Sequence, residues 1–108
     1  MRVYSFDRDG TLEPWGGPIP MDTLRRLQAQ GSLVGTGGGA PAEEQRQQWV
    51  EHGVVPDFAV TKTELYTVSH PNYIHVGDDP DADRREAEKA GFVFMDAAEF
   101  AQWDEIAP

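Results

Sequence analysis

The sequence predicts an α/β domain built on a parallel sheet, and three observations predict it. Short apolar runs of strand length alternate with stretches of helical periodicity along the chain. Single glycines, Gly31, Gly53 and Gly91, stop the helical stretches before the next apolar run. Polar residues that can do chemistry gather just past the ends of the apolar runs. Alternation of this kind gives a parallel sheet with helices on both faces. With 108 residues the expectation is a single domain, residues 1–108, of a size that buries roughly two-thirds of its unfolded surface.

The elements follow in order. Val3 to Phe6 is apolar and long enough for a buried strand, and it runs into Asp7 and Asp9, after which Gly10 permits a sharp change of direction. Glu13 to Pro20 carries three prolines and Gly16-Gly17, which predicts an irregular loop or a tight hairpin. Met21, Leu24 and Leu27 fall on one helical face behind Pro20, and Gly31 ends that helix. Leu33 to Gly35 reads as the second strand, ending at Thr36 and followed by Gly37 to Gly39. Pro41 opens the second helix, with Glu43 and Glu44 near the positive end of its dipole and a thin apolar face of Ala42, Trp49 and Val50. Phe58 to Val60 is the third strand, leading into Thr61-Lys62, and Glu64 to His70 is a helical turn or a loop. Tyr73 to Val76 is the fourth strand, followed by Gly77-Asp78-Asp79. A helix over Ala82 to Ala90 carries Arg84/Glu88 and Arg85/Lys89 four apart. Phe92 to Met95 is the fifth strand, and Ala97 to Trp103 a closing helix.

Composition narrows the function. There is no cysteine, which excludes disulfides, thiolate metal sites and thiol nucleophiles. Nine basic residues stand against 19 acidic ones, a net charge of −10 that repels nucleic acid and anionic membranes. The apolar start of the chain is short and meets Asp7 at once, unlike a signal peptide, so a cytoplasmic address is expected.

In an open parallel sheet, ligands bind beyond the carboxyl ends of the strands. The residues expected there are Asp7 and Asp9, Thr36, Lys62, and Asp78 with Asp79: carboxylates, a hydroxyl and one lysine. Adjacent carboxylates repel, so each needs a cation, a donor or a proton. A divalent metal supplies the cation. The alternative for the first segment is a strand followed by an ordinary Asp-Gly turn.

These residues resemble the motifs of the haloacid dehalogenase-like (HAD) superfamily of phosphohydrolases, in the same order and across nearly the whole chain. Asp7-Arg8-Asp9-Gly10-Thr11 is similar to its first motif, Thr36 to the second, Lys62 to the third, and Gly77-Asp78 with Asp83 to the acidic fourth. The resemblance implies a Rossmann-like sheet of order 5-4-1-2-3 and Mg²⁺-dependent hydrolysis of a phosphate monoester. Asp7 is then the nucleophile, forming a phosphoaspartate. Asp9 is the general acid and base. Mg²⁺ is held by Asp7, the Asp9 main-chain carbonyl and Asp78. Thr36 and the Gly37 amide bind phosphate oxygens, and Lys62 offsets charge on Asp7 and the phosphoryl group. Asp79 or Asp83 steadies Lys62 or a metal-bound water.

Some features depart from the family. Only 16 positions separate Lys62 from Asp78, so the crossover between the third and fourth strands is trimmed. Arg8 makes the first motif similar to that of sugar-phosphate and histidinol-phosphate phosphatases, but the cysteine zinc loop of those enzymes is missing, and their substrates are not carried over. No gap has room for a cap domain, which leaves an open site for a small or a large phosphorylated substrate. Only the Glu13 to Pro20 flap covers it, unless a neighbouring subunit supplies a lid. Trp15 on that flap either touches the leaving group or packs on the surface. His52 reads as an imidazole favourably placed at a helix C-terminus, His70 as loop, His75, Trp49 and Phe100 as packing residues, and Asp96 as a helix cap. Two rivals remain. A signalling receiver domain orders its acidic and lysine motifs differently. A non-catalytic binding or scaffold module on the same fold is favoured by the trimmed crossover and opposed by the presence of all five motif residues.

Overall fold

The first apolar run becomes the central strand. β1 (Val3–Phe6) is buried at every residue because it has a parallel partner on each side, β2 (Leu33–Thr36) and β4 (Tyr73–Gly77). β3 (Phe58–Ala59) and β5 (Val93–Asp96) form the two edges. This computed structural model describes residues 2–68 and 70–102. The order across its sheet is β3-β2-β1-β4-β5, all parallel, which is the expected 5-4-1-2-3 counted from the opposite edge. The helices are α1 (Met21–Ala29), α2 (Ala42–Glu51), α3 (Ala82–Lys89) and α4 (Ala97–Ala101), with 3₁₀ turns at Glu13–Trp15 and Lys62–Thr67.

Side-chain alternation along β1 divides the core in two. Tyr4 and Phe6 join Val34, Leu24, Leu27, Trp49, Val76 and Phe100 in the larger apolar cluster, so α1, α2 and α4 share one layer. Phe6 and Phe100 meet edge to face at 5.3 Å. Val3 points the other way and packs with Tyr73, Leu65, Ala87 and Phe92, which puts α3 and the second 3₁₀ turn in the opposite layer. There Tyr73 and Phe92 stack at 3.7 Å.

Several elements differ from expectation. In α2 the apolar face is thinner still, because Val50 is 51% exposed and Gln45 takes the buried position beside Trp49. The third strand stops at Ala59, and the ambiguous stretch after it is a 3₁₀ turn started by a capping box between Thr61 and Glu64. The fifth strand lies one residue later, and Asp96 takes the N-cap position of α4 without a side-chain hydrogen bond. The Glu13 to Pro20 segment is one 3₁₀ turn closed by Gly16 in the left-handed conformation, tied back through Glu13 N to Ile19 O at 2.7 Å. Trp15 packs edge-on against His52 at 5.0 Å and against the larger cluster, so it serves packing. Trp103 lies outside the described residues. No helix among the described residues is long and apolar enough to cross a membrane.

Candidate active site

Because every strand is parallel, their carboxyl ends share one edge, and four charged side chains meet there: Asp7, Lys62, Asp78 and Asp83. Asp7 continues β1 by one residue. Its N–H donates to Val76 O at 2.9 Å, and its Oδ1 accepts from Arg8 N at 2.8 Å. Lys62 arrives despite the trimmed crossover. The capping box starts the 3₁₀ turn at this residue, and the Lys62 N–H donates to Gly38 O at 2.7 Å, pinning the turn to the glycine loop. Its Nζ lies 2.6 Å from Asp83 Oδ1 and 3.8 Å from Asp7 Oδ2. Asp83, in the first turn of α3, is fully buried, and its Oδ2 accepts from Asp79 N at 3.0 Å. Of the two acids the sequence offers for steadying Lys62, the structure brings Asp83 to it.

Asp78 follows β4 on the exposed rim, its carboxylate lying directly over Gly10. Gly10 has φ +68°, and a Cβ there would collide with that carboxylate, so glycine is required twice over. Asp7, Asp78 and Asp83 each present an oxygen within 4.8 Å of the others. Three carboxylates with one lysine leave an excess of negative charge. Burial, and then the Asp83 charge, push the Asp7 carboxyl up to about 6, against the Arg8 N–H and Lys62. Asp78 is also raised, by desolvation first and then by Asp83 and Asp79. Asp83 goes the other way, to about 2: burial opposes its charge, but His75, Lys62 and the Asp79 N–H outweigh it. Lys62 is held above its ordinary value, since Asp83 and Asp7 overcome its desolvation.

Asp9 lines the same cleft as Asp7, a cavity of about 220 Å³ that also takes in Gly38, Gly39 and Gln45. Its carboxylate is 73% exposed and is gripped by Arg8, with Nε–Oδ1 at 3.0 Å and Nη2–Oδ2 at 3.2 Å. Arg8 is braced in turn by Gln48 Oε1 at 2.9 Å.

Thr36 and Gly37, the expected phosphate binders, have partners within the protein. Thr36 is paired with Phe6 inside the sheet, fully buried, and its hydroxyl donates to Val60 O at 3.3 Å. The Gly37 N–H donates to Phe6 O at 3.0 Å as part of the β1–β2 ladder. The register explains both: Thr36 lies opposite Phe6, one residue short of Asp7. Gly38 faces Asp7 instead, where a Cβ would come within 2.7 Å of Asp7 Oδ1. Its N–H is taken by Gln45 Oε1 at 2.9 Å, while Gln45 Nε2 donates back to Gly38 O at 3.3 Å and to Ala40 O. Gln45 thus clamps the wall of the cleft opposite Asp7. Sequence reasoning missed it; the available signal was a glutamine four residues before Trp49, on the same helical face.

Ser5 was also missed, while His75, expected as a packing residue of the fourth strand, is buried there. They lie opposite each other in the β1–β4 pairing, both fully buried, with Ser5 Oγ 2.6 Å from His75 Nδ1. His75 Nε2 lies 3.9 Å from Asp83 Oδ1. Comparison with protein-family models, curated proteins and solved structures finds no match for the chain.

Proposed function

We propose that this protein is a Mg²⁺-dependent phosphohydrolase that cleaves a phosphate monoester through an aspartyl-phosphate on Asp7, as the resemblance to HAD phosphatases implies. The observation that carries the reading is Asp7 at the carboxyl edge of a parallel sheet, with Lys62 Nζ 3.8 Å from its Oδ2 and two further carboxylates within metal-binding reach.

A hard cation fits the donor set. Asp7 and Asp78 would hold it, with the Asp9 carbonyl as the family supplies it. Asp83 is the poorer ligand, because one oxygen is engaged by Lys62 and the other by Asp79 N. Burial first, and then the neighbouring carboxylates, raise the proton affinities of Asp7 and Asp78, and a cation between them would offset both. When bound, Mg²⁺ would neutralise the carboxylates and polarise a phosphoryl oxygen.

The chain's own residues then divide the work. A carboxylate oxygen of Asp7 attacks phosphorus, the bond from phosphorus to the leaving oxygen breaks, and protonated Asp9 gives that oxygen its proton. Asp9, now ionised, takes a proton from water as the water attacks the phosphoaspartate. The Asp7–phosphorus bond breaks, releasing phosphate and restoring the carboxylate. Lys62 stabilises charge building on the phosphoryl oxygens. Asp9 must leave Arg8 to enter the cycle, a loss of one exposed ion pair worth at most about 1 kcal/mol. The open cleft suits a small substrate or a phosphoryl group on a large one.

A second reading, a non-catalytic binding module, is favoured by the engagement of the Thr36 hydroxyl and the Gly37 and Gly38 amides within the protein. One experiment separates the two. Turnover of a panel of phosphorylated metabolites is measured with Mg²⁺, beside Asp7→Asn. Release of phosphate by wild type alone supports the hydrolase; Mg²⁺ binding without turnover across the panel supports the module.

A further inference from the structure

We propose that Ser5 and His75 are positioning residues, a buried polar column that holds the Asp83 carboxylate and, through it, Lys62 beside Asp7. The role assigned to Lys62 rests on the reading above; the column rests on geometry alone.

The column crosses the structure from the middle of the sheet to its edge. Ser5 comes from β1, His75 from β4, Asp83 from α3 and Lys62 from the 3₁₀ turn after β3, so four separate elements meet in one line of polar contacts. Burying such groups costs stability unless each finds a partner. Ser5, His75 and Asp83 are each fully buried. Two glycines make room for them. A Cβ at Gly37 would approach the His75 ring at 3.1 Å, and one at Gly77 would strike the Asp83 carboxylate.

The donors and acceptors fix the direction of the column. Asp83 is ionised and only accepts. The His75 nitrogen nearer to it, Nε2, lies 3.9 Å from Asp83 Oδ1, and an acceptor-only carboxylate favours the tautomer with the ring proton on that nitrogen. In that tautomer Nδ1 is the acceptor, and the Ser5 hydroxyl, 2.6 Å away, is its donor. Ser5 thus sets the tautomer and plane of the ring, and the ring presents an N–H dipole to Asp83 at 3.9 Å, long for a hydrogen bond and short for an electrostatic contact. Asp83 is held from three sides, by His75, Asp79 N and Lys62. The composition matches a serine–histidine–aspartate triad, but a serine with no exposure cannot attack a substrate, so orientation is the function left to it. Oriented partners behind a ligating or charged group are commonly worth 10–100-fold in activity, which is the scale (~10–100-fold) expected here in kcat, with KM little changed.

The test reads Lys62 directly and needs no turnover. The chain has two lysines, Lys62 and Lys89, and both line one cleft of about 340 Å³, so a small amine-acylating reagent reaches both. Lys89 makes no ion pair among the described residues and serves as the internal reference. Labelling of the two is followed by peptide mass spectrometry in wild type, Ser5→Ala, His75→Phe and His75→Gln, each checked for folding by circular dichroism. The column predicts slow labelling of Lys62 relative to Lys89 in wild type. It predicts a severalfold rise of that ratio in Ser5→Ala and His75→Phe, and recovery in His75→Gln, whose amide restores a donor near Nε2. An unchanged ratio in folded Ser5→Ala overturns the proposal, as does a rise in His75→Phe that Gln fails to reverse. Should His75→Phe not fold, Ser5→Ala decides alone. A wild type with no phosphatase activity that still gives the predicted ratios leaves the column standing and removes only the reading of the site.

Discussion

The two faces of the sheet use the same strands for different ends. Under α1, α2 and α4, the side chains of β1 are Tyr4 and Phe6, locked among Trp49, Val76 and Phe100 without a charged group in the cluster. Under α3 and the second 3₁₀ turn they are Val3 and Ser5, and there a smaller apolar cluster lies beside the chain Ser5, His75, Asp83 and Lys62. Period-two alternation lets four residues serve both faces. One face carries most of the apolar burial, which dominates stability. The other gives up some of that burial to hold charges at the carboxyl edge. Activity and stability should therefore fail separately when the two faces are altered.

Asp7→Asn should give the largest functional effect. On the proposed mechanism it removes the attacking oxygen, so turnover is expected to vanish. The protein should stay as stable as wild type or become more so at neutral pH without metal, because the ionised Asp7 is unfavourably buried. Phosphate release and urea melts on the same sample check both halves. Asp9→Asn comes next. Loss of general acid–base help should lower turnover of an alkyl phosphate ~10²–10⁴-fold, with a smaller defect in the first step for an aryl phosphate, whose leaving group needs little protonation. On the opposite face, Trp49→Ala should cost roughly 3–5 kcal/mol in unfolding free energy, measured by urea denaturation. Comparable stability losses from Trp49→Ala and Asp7→Asn would break the division between the faces.

The pH dependence sharpens the same contrast. Asp7 titrates at about 6 in the fold against an ordinary value of 3.8, so the folded state binds the extra proton between those values. Stability contributed by this group is therefore present at the lower end of that window and lost as pH rises through 6. Asp83, lowered to about 2, works in the opposite sense: its contribution is present above the ordinary carboxylate value and lost as pH falls toward 2. Mg²⁺ needs ionised ligands, so the rise in melting temperature it produces should grow between pH 5 and 7 and shrink in Asp78→Asn. A melting shift independent of pH in that interval would argue against Asp7 as a ligand.

Much of this was legible before the structure. Apolar runs and helix-stopping glycines gave the order of elements, and acids placed after two of those runs gave Asp7 and Asp78 at one edge. Thr36 shows where such reasoning stops. Its place at the end of a strand was legible, but its direction depends on register, and pairing with Phe6 rather than Asp7 gives its hydroxyl a partner within the fold, Val60 O. Lys62 shows the converse. A spacing of 16 residues looked too short, yet a capping box and one main-chain hydrogen bond to Gly38 were enough to bring it in. Ser5 and His75 are single polar residues in apolar strands, 70 positions apart, and only the pairing of β1 with β4 makes them one unit.

The central claim is covalent chemistry at Asp7, and it is tested most directly by trapping. Wild type and Asp9→Asn are mixed with an aryl phosphate and Mg²⁺, quenched in acid, and weighed intact before peptide mapping. The account predicts that Asp9→Asn gains the mass of one phosphoryl group, mapped to Asp7, since without its base the intermediate forms slowly but outlasts its hydrolysis. Turnover by wild type with no adduct on Asp7 in either protein, and with Asp7→Asn as active as wild type, would contradict it.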